Sequence, residues 1–165
     1  MGGPDGPQAH HLRTGRGPGV RGRDLGGHVV SAVDAAVAPR VGCDLQGVAP
    51  VAESLARQGE RYLRAVLAPE EIAELTRSGA AEPSAESVAG RFAAKEAVLK
   101  VLRPSQEDAV PWPEIVLRTD AHGAPGVQLR GTAARLAGEA GLGGWSVSTS
   151  HDGGFALAVA LATTS

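Results

Sequence analysis

From about residue 37 onward, apolar and polar positions fall into regular patterns. Val41, Cys43 and Leu45 alternate with Arg40, Gly42 and Asp44, the period of a strand with Asp44 on its other face. Val48, Val51, Leu55, Tyr62, Leu63 and Val66 then follow a looser helical spacing. Pro69 stands where the first turn of a helix begins, Glu70 and Glu71 follow it, and Gly79 marks a stop. A loop containing Pro83 leads into the clearest helix, from about Glu86 to Arg103, which Pro104 ends. Beyond it the period drops to two. Ile115 and Leu117 alternate with Glu114, Val116 and Arg118, and a turn at 120–123 leads into Val127 and Leu129. A short helix near 132–140 stops at Gly141. Val147 and Thr149 alternate with serines, His151-Asp152-Gly153-Gly154 reads as a hairpin turn, and Phe155, Leu157, Val159 and Leu161 form the last strand. The order is one strand, three helices, two strands, one helix and two strands. It predicts an α+β domain with mainly antiparallel pairing and no internal repeat.

Composition adds boundaries. Residues 37–163 read as the folded domain and 1–36 as a tail rich in Gly, Pro and Arg. The first 27 residues alone hold nine of the 23 glycines and almost nothing apolar, the signature of disorder. The stretch Val29–Ala38 comes too late, and is broken by Asp34, to serve as a secretory signal. Synthesis starting near Val29 or Val30 is the alternative reading of this tail. One cysteine in 165 residues excludes an internal disulfide and a Cys-built zinc site. No run approaches the ~18 apolar residues of a membrane span, so a soluble, cytoplasmic protein is expected. A net charge of -2 gives no reason to expect nucleic acid as partner. With only 3% aromatic residues, the core must be mostly Val, Leu, Ile and Ala.

The chemistry concentrates in the helix Arg91-Phe92-Ala93-Ala94-Lys95-Glu96-Ala97-Val98-Leu99-Lys100. Turned about 100° per residue, it places Val88, Phe92, Leu99 and Leu102 in one stripe with Lys95 inside it. A lysine facing a core is costly unless its ammonium meets an anion or snorkels to water. Arg91 lies one turn earlier, so an anionic ligand would relieve both charges; a helix rim open to solvent is the other reading. Glu96 and Lys100 have i,i+4 spacing. That spacing suits a surface ion pair, or a metal ligand beside a phosphate contact. Asp44, at the end of the first strand, is the candidate second carboxylate, with helix capping as its alternative. Two carboxylates suit Mg²⁺ better than zinc, because Mg²⁺ takes oxygen ligands together with substrate phosphates. His151 reads as a structural or a catalytic residue, and His122 as a solvated turn residue.

Three stretches carry a resemblance. Gly42-Cys43-Asp44-Leu45, Arg91-Phe92-Ala93-Ala94-Lys95-Glu96-Ala97 with Lys100, and Ser146-Val147-Ser148-Thr149-Ser150-His151 are similar to the signature regions of the holo-[acyl-carrier-protein] synthase family. This family is the short type of 4'-phosphopantetheinyl transferase, and the resemblance covers roughly residues 40–163, including Leu67-Ala68-Pro69-Glu70-Glu71. It implies an α+β homotrimer with CoA bound between neighbouring subunits. It also implies a reaction in which a serine of an apo carrier protein attacks the β-phosphate of CoA and 3',5'-ADP leaves. By this resemblance Asp44 and Glu96 hold Mg²⁺, Lys100 neutralises the diphosphate, and Arg91, Lys95 and His151 lie near the nucleotide and its phosphates. The general base is Glu96 or a metal-bound water. The second reading is a catalytically inactive module that docks a carrier protein on the same fold.

The chain departs from the family in two places within the domain. Gln46-Gly47-Val48-Ala49-Pro50 replaces the usual Glu and Arg of the docking helix, which leaves Arg57, Arg61 and Arg64 to meet an acidic carrier. Those three share one helical face only if the helix persists past Gly59. Arg103-Pro104-Ser105-Gln106-Glu107 replaces a Gly-rich loop after the central helix.

Overall fold

A computed structural model describes residues 39–77, 79–120 and 124–164. The predicted tail and His122 lie outside these residues. The elements run β1 (Arg40–Gly47), α1 (Val48–Gln58), α2 (Glu60–Val66), α3 (Pro69–Leu75), α4 (Ala85–Leu102), β2 (Ile115–Thr119), β3 (Pro125–Leu129), α5 (Gly131–Glu139), β4 (Leu142–Asp152) and β5 (Phe155–Thr164). All pairing is antiparallel: a three-stranded sheet in the order β1-β5-β4, and the β2-β3 hairpin. The α+β expectation therefore holds.

The expected helix through residues 48–66 is two helices. Gly59 adopts φ 52°, a left-handed backbone that glycine enters without strain, and its N–H caps α1 at the Leu55 carbonyl. Arg57 thus ends α1, while Arg61 and Arg64 belong to α2. Arg64 pairs with Glu60 at 2.6 Å. The condition for one helical face to carry all three arginines is not met, because the helix is broken at Gly59. Pro50 is accommodated in the first turn of α1, where a missing N–H costs nothing.

The central helix begins with Ser84, whose hydroxyl accepts the Ser87 N–H, and ends with Arg103 in the left-handed conformation. It is buried on almost every side, not along one stripe. Val88, Ala89, Ala93, Ala94, Ala97, Val98 and Val101 are all 0% exposed. It lies flat on the three-stranded sheet, and β5 meets it with Ala156, Ala158, Ala160 and Ala162, each also 0% exposed. Small side chains on both surfaces let the backbones approach closely. The large residues of β5 consequently point the other way. Phe155, Leu157 and Val159 are 51%, 44% and 40% exposed, and Val41 and Leu45 of β1 exceed 55% on the same outer face. That leaves an apolar sheet face without a covering layer among the described residues.

The loop that replaces the family's Gly-rich segment is pinned. Asp108 accepts from the Ser105 backbone and hydroxyl and pairs with Arg135 at 2.5 Å. These contacts, the Ser105 hydroxyl first, hold the Asp108 carboxyl down to about 2. His151 sits within β4; the two-residue turn after it is Gly153-Gly154, at φ 55° and 80°.

Candidate active site

Asp44, Glu96 and Lys100 come together where β1 crosses α4. Gly42 makes this possible: a Cβ there would run into the Ala97 carbonyl and reach the Lys100 Cβ at 3.1 Å. Two residues further along β1, Asp44 meets the same helix. Lys100 Nζ donates to Asp44 Oδ1 at 2.8 Å and to the Cys43 carbonyl at 2.7 Å. The expected Glu96–Lys100 surface pair is therefore replaced by an Asp44–Lys100 pair. Asp44 is not a helix cap either, since Gly47 occupies the N-cap of α1 and Asp44 accepts from Gln46 Nε2 at 2.9 Å. Glu96 is half-buried, and no hydrogen bond or ion pair reaches its carboxylate among the described residues. Burial, and then the charge of Asp44, raise its proton affinity above the usual carboxylate range, while Lys100 opposes them. Gly42→Ala should cost about 1–3 kcal/mol through overpacking and separate Asp44 from the helix. Urea denaturation together with an activity assay checks this; a variant of wild-type stability and rate would show that the strand can shift at no cost.

Lys95 lies apart from that cluster. Its side chain is 0% exposed, and Nζ donates to Glu71 Oε2 at 2.6 Å, the Ile115 carbonyl at 2.5 Å and the Trp112 carbonyl at 3.0 Å. All three N–H groups are engaged, so Lys95 has no donor left for a nucleotide phosphate. The solvated rim is not realised: the anion beside Lys95 is Glu71, supplied by the chain itself. Burial lowers the Lys95 pKa, and Glu71 works to raise it. Arg91 also faces inward, pairing with Glu74 at 2.7 Å, donating to the Thr119 hydroxyl at 3.2 Å and reaching the Leu117 carbonyl. These contacts tie α3 and β2 to α4. Sequence reading missed Glu71 and Glu74 as partners. The signal was present in part: Glu71 is the third residue of α3, where its carboxylate accepts the Ala68 N–H in the manner of a capping box.

His151 stands on β4, on the side of α4 away from β1. With Leu75, Ser87, Gly90, Arg91, Leu117, Thr119, Pro125 and Thr149 it lines a shallow cleft of about 190 Å³. Asp44, Glu96 and Lys100 are not among the cleft's lining residues. The six expected site residues are thus distributed as an open carboxylate–lysine cluster, a cleft bearing Arg91 and His151, and Lys95 in the core.

Two carboxylates and a lysine, gathered where an edge strand crosses a buried helix, are side chains of the kind that phosphoryl chemistry uses. The 4'-phosphopantetheinyl transferase superfamily matches residues 40–160. A holo-[acyl-carrier-protein] synthase of Herpetosiphon aurantiacus is 37% identical over 123 residues, spanning 71% of this chain and 92% of that protein. One from Frankia casuarinae is 39% identical over 126 residues, spanning 75% and 96%. Among solved structures, the holo-ACP synthase of Plasmodium yoelii superposes with TM-score 0.67 at 30% identity, covering 76% of this chain and 94% of that one. The ACPS–CoA complex of Chronobacterium ammoniagenes gives TM-score 0.65 at 32% identity, covering 78% and 98%. The chain belongs to the 4'-phosphopantetheinyl transferase superfamily and is an enzyme of its holo-[acyl-carrier-protein] synthase type. No helix among the described residues is long and apolar enough to cross a membrane.

Proposed function

We propose that residues 37–163 form a cytoplasmic, homotrimeric domain that moves 4'-phosphopantetheine from CoA to a serine of an apo carrier protein, with Mg²⁺ bound by Asp44 and Glu96. The observation that carries the reading is the half-buried Glu96 carboxylate, which feels the negative charge of Asp44 and accepts no hydrogen bond among the described residues. Two adjacent carboxylates repel each other, and a hard divalent cation with oxygen ligands relieves that cost, so the donor set fits Mg²⁺. Such an ion supplies charge stabilisation at the transferring phosphoryl group. In the transfer, the serine hydroxyl gives up its proton to a base, its oxygen forms a bond to the β-phosphorus of CoA, the diphosphate P–O bond breaks, and 3',5'-ADP departs with the bonding electron pair. Lys100, held at the Cys43 carbonyl, keeps its ammonium where negative charge builds on the diphosphate. Intact-mass spectrometry of an apo carrier protein incubated with CoA, Mg²⁺ and this enzyme should show the gain of one phosphopantetheine. An unchanged carrier mass would return the inactive docking module to favour.

The trimer reading rests on two features of the single chain. Its Arg91–His151 cleft and its carboxylate–lysine cluster are separate, so a neighbouring subunit is needed to join one subunit's nucleotide cleft to another's metal site. The outer sheet face, with Val41, Leu45, Phe155, Leu157 and Val159 exposed, is the surface such an assembly would cover. Leu157→Asp should yield a folded monomer by light scattering and remove transfer. A monomeric, fully active wild type would overturn the composite site.

A further inference from the structure

Gly90 lies in the middle of α4, and nothing about helix formation asks for glycine there. Glycine in a helix interior is unfavourable relative to alanine. A Cβ at this position would stand 2.7 Å from His151 Nε2 and 3.0 Å from Cε1. The ring of His151 therefore occupies the space that any other residue at position 90 would fill. From this seat Nε2 lies 3.1 Å from the Glu86 carbonyl. A carbonyl only accepts, so Nε2 is the nitrogen that carries the proton. Nδ1 is then an acceptor, or a donor once protonated, and nothing bonds it among the described residues. Arg91, next in the chain, lines the same cleft.

We infer that Gly90 is a positioning residue for nucleotide recognition: its missing side chain seats His151 on the Glu86 carbonyl, which fixes the ring's tautomer and orientation in the Arg91 cleft. The inference rests on the proposal that this cleft receives the nucleotide end of CoA. Gly90 makes no contact with substrate itself. It acts through His151 by leaving open the geometry in which the ring packs against α4 and reaches the Glu86 carbonyl. An alanine would displace the ring, break the bond to Glu86 and leave Nδ1 without a fixed direction.

The test is a double-mutant cycle read by calorimetric binding of 3',5'-ADP, with thermal unfolding and ring ¹⁵N shifts of His151. Gly90→Ala and His151→Ala should each weaken 3',5'-ADP binding about tenfold or more, as expected for losing a hydrogen bond to a charged group. The double variant should bind no worse than His151→Ala, because the residue that Gly90 positions is gone. It should also melt no lower than His151→Ala, since the added Cβ then finds room and improves helix propensity. The His151 ring should show the Nε2–H tautomer in wild type and lose it in Gly90→Ala. A folded Gly90→Ala that binds 3',5'-ADP as wild type does, or losses that multiply in the double variant, would overturn the inference. If Gly90→Ala does not fold, the double variant decides: melting well below His151→Ala would refute the steric coupling. Wild-type protein that neither binds 3',5'-ADP nor modifies a carrier would instead overturn the functional reading beneath the inference. A wild type active in transfer, beside an unaffected Gly90→Ala, would overturn the inference alone.

Discussion

Glu96→Gln should reduce transfer by a factor of about 10²–10³ or more while leaving the metal-free domain more stable than wild type near neutral pH. The two effects have one cause. Burial and the neighbouring Asp44 charge make the ionised Glu96 costly in the folded chain, so its folded pKa lies above the unfolded one. A carboxyl group with a raised folded pKa binds more protons in the native state. Its stability contribution is greatest at low pH and falls as pH rises from the ordinary carboxylate range through the raised value. Glutamine keeps the shape and removes that loss, but it also removes a charged ligand for Mg²⁺. Asp44→Ala should abolish transfer as well, and it should lower the proton affinity of Glu96 by removing its like-charged neighbour. Thermal unfolding in EDTA across pH 4–8, beside transfer assays with added Mg²⁺, checks all of this. Undiminished transfer by either variant, or by wild type in EDTA, would remove the metal from the mechanism. A Glu96→Gln variant less stable than wild type at pH 7 would show that the carboxylate is paired, not repelled.

What the sequence made legible follows from the range of the forces involved. Alternation in β1, β4 and β5, and the stop at Pro104, are local, and the strands and the central helix appear where those patterns put them. The site is partly local too. Glu96 and Lys100 share a helix, and Gly42 before Asp44 signals a strand pressed against something close. Lys100 nevertheless turned to Asp44, since which of two nearby carboxylates a lysine takes depends on how the strand crosses the helix. The role of Lys95 was legible only as a question: a charge in an apolar stripe needs an anion, but periodicity does not say whether the anion is a ligand or a residue of α3. Burial of α4 was misread for a related reason. A helix rich in alanine and buried on most of its surface has only a narrow polar face to reveal its orientation, so its few large residues look like the core stripe. In β5 the alanines face inward and Phe155, Leu157 and Val159 outward, an orientation that the alternation leaves open. Size alone does not say which face of an all-apolar strand meets its own helix.

Lys95→Met should be the most destabilising single substitution of a charged residue in the domain, at about 3–5 kcal/mol, the usual cost of leaving one partner of a buried ion pair alone. Removing the ammonium leaves the Glu71 carboxylate fully buried and takes away the donor shared by the Ile115 and Trp112 carbonyls. Glu71 would retain the N–H groups of Ala68 and Leu117, at 2.8 and 3.1 Å, with Arg91 3.8 Å away. Of those contacts only Arg91 carries a charge, and at 3.8 Å, shared with Glu74, it offsets the carboxylate only in part. Adding Glu71→Gln to Lys95→Met should therefore recover part of the loss. The glutamine oxygen can accept from only one of the two backbone N–H groups and its NH₂ faces the other, so the recovery comes from removing the buried charge and is partial. A pair that contributes mainly by being complete predicts this order: wild type most stable, the double variant next, Lys95→Met least. Because α3 and β2 are fastened to α4 through these groups, transfer by Lys95→Met should fall in step with its folded fraction, with no separate change in affinity for CoA. Urea denaturation of the three proteins, with transfer measured on the same samples, gives the order. A Lys95→Met variant that is as stable as wild type but has lost CoA affinity would reverse the assignment and make Lys95 a nucleotide contact after all.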